Sequence, residues 1–350
     1  MTYFEDEYLP FFEETPFSIS DYLPRIWRKL PPQAQTQWVE DTFRHWRQHG
    51  FPYPVFSERR LEQLWYLNTR GMVEDRTIRQ NMAGNTVPSS YMPHMYGTRV
   101  GDMKTALEAF EDDVLLRRAI TKHFKYAIKA PTPPNLRGML SMMPGVQVVS
   151  NFRPSVARYI WHTYAPEGGT VYDYSCGYGG RMAGALASDR GLFYLGCEPC
   201  TETYEGLHRM GSDLFPDRYD IRQTGSEIDG IYSEYDGQVD MAFSSPPYFN
   251  REKYSDEPTQ SWIKYPDYSD WIAGYLTPTV ATCYRLLKPG GVMAINVAAV
   301  SGFDIPEDSK NVLSEAGFKY SHEYRMSLST RIGKGHDERK YEPLYIYKKP

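Results

Sequence analysis

The chain has 350 residues, 41% hydrophobic and 24% charged, with a formal net charge of −5. That is the balance of a soluble globular protein, long enough for one large or two ordinary domains around a substantial core. A net negative chain is no polycation, so any nucleic acid must be met by local basic patches. Aromatic residues make up 15%, with 29 Tyr, which suits flat ligands or a Tyr-rich core. No apolar run reaches membrane-spanning length, so no membrane partner is expected. The opening MTYFEDEYLPFFEE is acidic and unlike a secretory signal, and a cytoplasmic location is expected. Of the cysteines, Cys176, Cys197, Cys200 and Cys283, only Cys197 and Cys200 lie close together, as C-x-x-C. No second Cys or His pair completes a zinc site, so structural thiols and no metal are expected.

In chain order, 18–30, 33–49, 57–68 and 105–129 read as helices, because apolar residues recur at three- and four-residue spacing, as in Trp38, Phe43 and Trp46. Residues 74–97 read as an irregular polar loop. Ala130-Pro131-Thr132-Pro133-Pro134 is the best candidate linker. Basic groups recur here: Arg25, Arg28 and Lys29; Arg44 and Arg47; then Arg117, Arg118, Lys122, His123, Lys125 and Lys129. They are either solvated helix faces or phosphate contacts.

From about 146 the texture changes. Helices at 155–163, 181–187, 203–214, 271–287 and 310–316 alternate with strands at 170–173, 192–197, 219–223, 239–243 and 292–297. Two closing strands follow, at 318–328 and 343–348. Alternation of this kind implies a mostly parallel sheet with helices on both faces, and two successive strands imply an antiparallel hairpin at one edge.

Two stretches carry chemistry. Asp173-Tyr174-Ser175-Cys176-Gly177-Tyr178-Gly179-Gly180 has the order strand, Gly-rich turn, helix, which lets backbone approach a ligand beside free helix amides. Glu198 ends the next strand, where an acid can bind ribose hydroxyls. A nicotinamide cofactor would suit these features equally. The discriminating stretch is Ser244-Ser245-Pro246-Pro247-Tyr248 at the end of the fourth strand. Two prolines stop a strand and stiffen its turn. Ser245 and the Pro246 carbonyl can each accept a hydrogen bond from a ring amino group, and Tyr248 can stack on the ring.

Ser245-Pro246-Pro247-Tyr248 resembles the (Asp/Asn/Ser)-Pro-Pro-(Tyr/Phe) motif of DNA amino-methyltransferases, which modify N6 of adenine or N4 of cytosine. Leu287-Lys288-Pro289-Gly290-Gly291 before the fifth strand is similar to class I methyltransferases. The resemblance spans roughly 146–350. It implies a class I, Rossmann-like α/β domain dependent on S-adenosylmethionine (SAM), with 1–145 a mainly helical region and a candidate for substrate or DNA recognition. It implies a catalytic set of Ser245, Pro246, Pro247 and Tyr248. It implies a cofactor set of Phe152, Pro154, Asp173, Ser175, Cys176, Gly177, Gly179, Glu198, Ser226 and Ser244, with Glu227 an alternative to Ser226 near the adenine.

The implied activity is methyl transfer to an exocyclic base amine in DNA, of the kind used in DNA modification and restriction–modification. The base would be flipped out of the stack. Ser at the first motif position leans towards cytosine N4. RNA, a protein amide, a modified phage-type nucleotide, or a binding module without catalysis are the alternatives.

The chain also departs from the family. Where Thr or Ser often follows the last glycine of the cofactor loop, Gly180 is followed by Arg181. At a helix start Arg181 opposes the dipole, which calls for a partner, such as a substrate phosphate, or for full solvation. No familiar recognition domain follows the motif. Two loops are expected near the substrate: 250–265, with Arg251, Lys253, Tyr254, Trp262 and Lys264, and the Gly-rich Arg331–His336.

Overall fold

A computed structural model describes residues 23–66, 69, 71–127, 132–251, 253–300, 302–327 and 341–350. The expected loop at Arg331–His336 lies outside them, as do Lys129, Ala130 and Pro131. The chain divides into two compact units: one from 23–55 and 93–149, the other from Phe56–Met92 and Ser150–Pro350.

The smaller unit is helical. Helices Leu23–Lys29, Pro32–His49, Ala106–Glu111, Asp113–Tyr126 and Pro133–Leu140 surround a core that includes Trp27, Phe43, Trp46, Leu116, Phe124 and Leu136. The expected helix at 105–129 is two helices. Asp112 caps the second, its carboxylate accepting from the amides of Val114 and Leu115, both at 3.0 Å. Pro133 and Pro134 do not link domains; they open a helix, where a missing N–H is harmless.

Several of the basic groups are engaged inside this unit. Arg44 pairs with Asp41 at 2.8 Å, Arg47 with Asp113 at 2.7 Å, and Arg117 with Glu40 at 2.8 Å. The Arg117 guanidinium also lies 3.5 Å from the centre of the Phe43 ring. His123 is buried and is not part of a basic face.

The larger unit is built on a nine-stranded sheet: β1 (Val73–Glu74), β2 (Thr77–Ile78), β3 (Thr170–Asp173), β4 (Phe193–Cys197), β5 (Tyr219–Arg222), β6 (Val239–Ser244), β7 (Leu287–Asn296), β8 (Lys319–Ser327) and β9 (Tyr341–Lys348). Their spatial order is β1-β2-β8-β9-β7-β6-β3-β4-β5. Strands β5, β4, β3, β6 and β7 are parallel neighbours, and β9 runs antiparallel to both β7 and β8. This is the expected class I, Rossmann-like architecture, with its antiparallel closing hairpin.

The expected loop at 74–97 holds real elements. Strands β1 and β2 form a tight hairpin whose turn residues, Asp75 and Arg76, both have positive φ. Helix Thr86–Tyr91 follows. The expected 271–287 helix is interrupted by a π turn, Ile272–Leu276, before Thr277–Leu286 resumes.

Helix Pro154–Tyr164 packs on helix Gly180–Leu186 at backbone distance. A Cβ on Gly184 would sit 2.6 Å from Ala157 Cβ and 2.7 Å from the Pro154 carbonyl oxygen. Gly184→Ala should therefore destabilise the larger unit by about 3 kcal/mol. Gly138, helical and with nothing within 4 Å of an added Cβ, is the contrast: Gly138→Ala should stabilise by about 0.5–1 kcal/mol. Urea unfolding of both variants checks the pair, and equal effects would contradict this packing.

Candidate active site

The parallel order β6-β3-β4-β5 brings four strand ends side by side, and the loops after them form the site. Its centre is Asp173, the fully buried last residue of β3. One carboxylate oxygen, Oδ1, accepts from the Ser244 hydroxyl at 2.6 Å and the Ser175 amide at 3.2 Å. The other accepts from Arg181 Nε at 2.8 Å and the Tyr194 hydroxyl at 2.6 Å. These four donors come from β4, from the end of β6, from the Gly-rich loop and from the helix behind that loop.

Arg181 thus has a partner, and it is neither a solvated side chain nor free to meet a substrate phosphate. Burial opposes its charge, but Asp173 overrides burial and leaves the guanidinium pKa raised. Its side chain reaches back to the Ser175 carbonyl and lies 5.3 Å from the Phe152 ring centre. Phe152 in turn meets Phe243 edge-on at 5.5 Å. Pro154 is buried at the first turn of its helix, where it fixes the backbone direction.

The loop itself needs glycine twice: Gly177 and Gly179 have φ of 52° and 77°, the left-handed region. Glu198, just past β4, holds the loop from the side. Its Oε2 accepts from the Gly177 amide at 2.9 Å and its Oε1 from the Cys200 amide at 3.0 Å. Burial pushes this carboxyl up to about 7, against the pull of those two amides. Asn151 holds the other side, its Oδ1 accepting from the Gly180 amide at 3.1 Å and its Nδ2 donating to the Tyr178 carbonyl at 2.8 Å. Cys176 is buried, and burial pushes its thiol well above the usual range, so it is unsuited to act as a nucleophile. All four cysteines are free and buried.

On β6, Ser244 points to Asp173, and the chain then turns through Ser245, Pro246 and Pro247. The Ser245 and Tyr248 hydroxyls are 3.0 Å apart, and Tyr248 reaches Asn296 Oδ1 at 3.5 Å. Tyr248 is buried with a relative exposure of 8%, its ring part of the unit's apolar core. Little of its face is therefore open for stacking in this conformation. Phe249 follows at φ 55°, a strained value for a non-glycine residue. The turn is held there because the Phe249 ring packs against Tyr268, Trp271 and Phe303.

Ser226 and Glu227 lie in the loop after β5. The Ser226 hydroxyl is buried 2.9 Å from Thr279 Oγ1, and Glu227 pairs with Lys264. Within 250–265, Lys253 lies 4.7 Å from the Trp262 ring centre, and Tyr254 meets Tyr178 edge-on. Glu257 caps helix Thr201–Leu214, accepting from the Thr201 amide and hydroxyl, both at 3.0 Å. This segment is thus tied across the ends of β4 and β5.

Sequence reasoning missed Tyr275, whose hydroxyl is 2.8 Å from Ser175 Oγ in the Gly-rich loop. It lies within the π turn Ile272–Leu276, a distortion often found at functional sites. No sequence period marks such a turn. Tyr194 was also missed, because a tyrosine within a strand reads as core.

Residues 239–350 match a family model of N6/N4 methyltransferases described as DNA methylase. No curated protein matches the sequence. Among solved structures the chain is similar to TrmN from Thermus thermophilus, at 14% identity and a TM-score of 0.40, over 56% of this chain and 49% of that one, about half its length. It is also similar to a TehB-like SAM-dependent methyltransferase from Corynebacterium glutamicum, at 16% identity and a TM-score of 0.37, over 57% and 90% of the two chains. A third is geranyl diphosphate C-methyltransferase from Streptomyces coelicolor A3(2), at 13% identity and a TM-score of 0.40, over 56% and 79%.

The Glu198 environment has a measurable sign. A carboxyl whose folded pKa lies above its unfolded value makes the fold less stable as pH rises from about 4.5 to about 7. Glu198→Gln cannot ionise, so across that window its stability relative to the wild type should rise by about 3 kcal/mol. Urea unfolding at several pH values measures the difference, and parallel profiles would contradict the buried-carboxyl geometry.

Proposed function

We propose that the protein is a SAM-dependent methyltransferase acting on an exocyclic amino group of a DNA base, cytosine N4 before adenine N6. The observation that carries the reading is the linkage of two stretches. Ser244, adjacent to the catalytic Ser245, is hydrogen-bonded at 2.6 Å to the carboxylate that anchors the Gly-rich loop. Methyl donor and amine acceptor would meet where these stretches meet. The match of 239–350 to the DNA methylase family supports the choice of polymer.

The residues present fit this cofactor. At Gly177 and Gly179 the loop carries no side chain that would keep a ligand from the backbone. Each Glu198 oxygen accepts one amide, which leaves lone pairs for ribose hydroxyls. Asp173, Ser175, Ser244 and Tyr275 hold the loop in place, and Phe152 and Pro154 wall one side. Ser226, in the loop after β5, is the residue assigned to the adenine end in this reading. When bound, SAM supplies a methyl group made electrophilic by its positive sulfur.

The catalytic turn then acts on the amine. Ser245 Oγ and the Pro246 carbonyl accept its hydrogens, which pulls the lone pair out of ring conjugation and aims it outward. The Ser245 hydroxyl can spend its own proton on the Tyr248 oxygen, which keeps its lone pairs for the substrate. Tyr248 is steadied by Asn296, itself bonded to the Pro343 carbonyl at 2.9 Å. Charge grows on the amine nitrogen during transfer, so these acceptors matter most in the transition state.

Tritiated SAM offered with DNA and with RNA, alongside calorimetry of S-adenosylhomocysteine (SAH), tests the reading. Ser245→Ala should lower turnover on DNA about 10²–10³-fold while SAH affinity stays within about twofold. Label on RNA alone would move the substrate to that polymer. Wild-type turnover in Ser245→Ala would remove Ser245 from the chemistry.

A further inference from the structure

Charge is divided unevenly between the two units. The described residues of the smaller unit carry twelve Lys and Arg against seven Asp and Glu, whereas those of the larger unit carry 21 against 28. Within the smaller unit, five of the seven acids are spent on one set of cations. Asp41 pairs with Arg44, Asp113 with Arg47, Glu108 with Arg99, Asp112 with Lys104 and Glu40 with Arg117. These acids lie on helix Pro32–His49 and between positions 108 and 113. Beyond Asp113, helix Asp113–Tyr126 contains no acid at all.

Three cations follow on that helix. Arg118, Lys122 and Lys125 are spaced by four and three residues, so they share one face. Arg118 and Lys125 are exposed and Lys122 is half-buried. None has an acidic partner among the described residues; Lys122 donates to the Met142 carbonyl at 3.2 Å. Like charges at this spacing repel, so the face favours counter-charge from outside the unit. The other face of the helix, with Leu116, Ala119, Ile120 and Phe124, is buried in the core. Helix Leu23–Lys29 packs alongside, Trp27 stacked on Phe124 at 5.1 Å, and its last turn adds exposed Arg28 and Lys29. A membrane surface would need an apolar helix face to insert, and this helix has committed its own to the core. A phosphodiester backbone needs only cations at a regular spacing. Seven helical residues rise about 10 Å, which matches the axial length of about three phosphates along one strand.

We infer that Arg118, Lys122 and Lys125 form the surface by which the smaller unit holds the phosphodiester backbone of the nucleic-acid substrate. The choice of polymer rests on the proposed function. The surface lies outside 239–350, the stretch that matches the family model, and shares no residue with the Gly-rich loop or the catalytic turn. It supplies affinity and reads no base, because phosphate contacts carry no sequence information. It also gives a chain of net charge −5 a local patch with which to meet a polyanion.

The test is the salt dependence of duplex oligonucleotide binding to the full chain with SAH present. Arg118→Gln and Lys125→Gln should each flatten the log–log slope by about one unit and weaken binding about fivefold at about 0.15 M salt. The double variant should flatten it by about two units. The loss should be the same for unrelated duplex sequences, and SAH affinity should not change. Arg44→Gln removes the same charge from a cation already neutralised by Asp41 and should leave the slope nearly unchanged. Arg118→Lys and Lys125→Arg, which keep the charge, should keep the slope, and so separate charge from any loss of folding in the Gln variants. A folded double variant with the wild-type slope, or an equal loss in Arg44→Gln, overturns this surface while leaving the proposed function standing. A wild type that binds SAH but no nucleic acid overturns the choice of polymer and the surface with it.

Discussion

The larger unit depends on one buried anion. Asp173 has no solvent contact, and its four acceptor positions are filled by Ser175, Ser244, Arg181 and Tyr194. Removing one partner of a buried pair typically costs about 3–5 kcal/mol, because the other charge is left without compensation. Such a cluster holds its geometry tightly. It binds β3 to β4 through Tyr194, to β6 through Ser244, and to the loop helix through Arg181. A carboxylate engaged this way is a positioning group for the Gly-rich loop, and the direct contacts to a ligand fall to its neighbours.

The consequence reaches the chemistry through one peptide bond. Ser244 is fixed by Asp173, so Ser245 begins its turn from a fixed point. Pro246 and Pro247 limit how the turn can bend, and the buried Phe249 ring holds it at a backbone angle it would otherwise leave. From the other side, Tyr275 and Glu198 hold the same Gly-rich loop. Two mobile features of an ordinary strand end, loop and turn, are thereby ordered together. Preorganised acceptors are what transfer to an exocyclic amine needs.

Much of this was legible in the sequence, for identifiable reasons. Alternating strands and helices gave the sheet, because each strand buried on both faces reads as a short apolar run. The Gly-rich loop and the Pro-Pro turn were visible because glycine and proline have backbone meanings of their own. What could not be read was set by contacts distant in sequence. Arg181 looked like a surface cation because Asp173 is its partner only once the helix folds back over β3. The 105–129 segment looked continuous because Asp112 breaks it by capping, without proline or glycine. The β1–β2 hairpin has two-residue strands and turns through Asp75 and Arg76, so it carries neither alternation nor a glycine signal. Arg44, Arg47 and Arg117 of the smaller unit are paired with acids that the sequence places up to 77 positions away, as for Arg117 and Glu40.

The most direct test of the central claim is the identity of the methylated product. DNA incubated with the protein and SAM carrying a deuterated methyl group can be digested to nucleosides and resolved by mass spectrometry. The account predicts a labelled deoxynucleoside whose methyl group is on an exocyclic nitrogen, N4 of deoxycytidine before N6 of deoxyadenosine. Label on a ring carbon, or no labelled deoxynucleoside from protein that binds SAH, would contradict it.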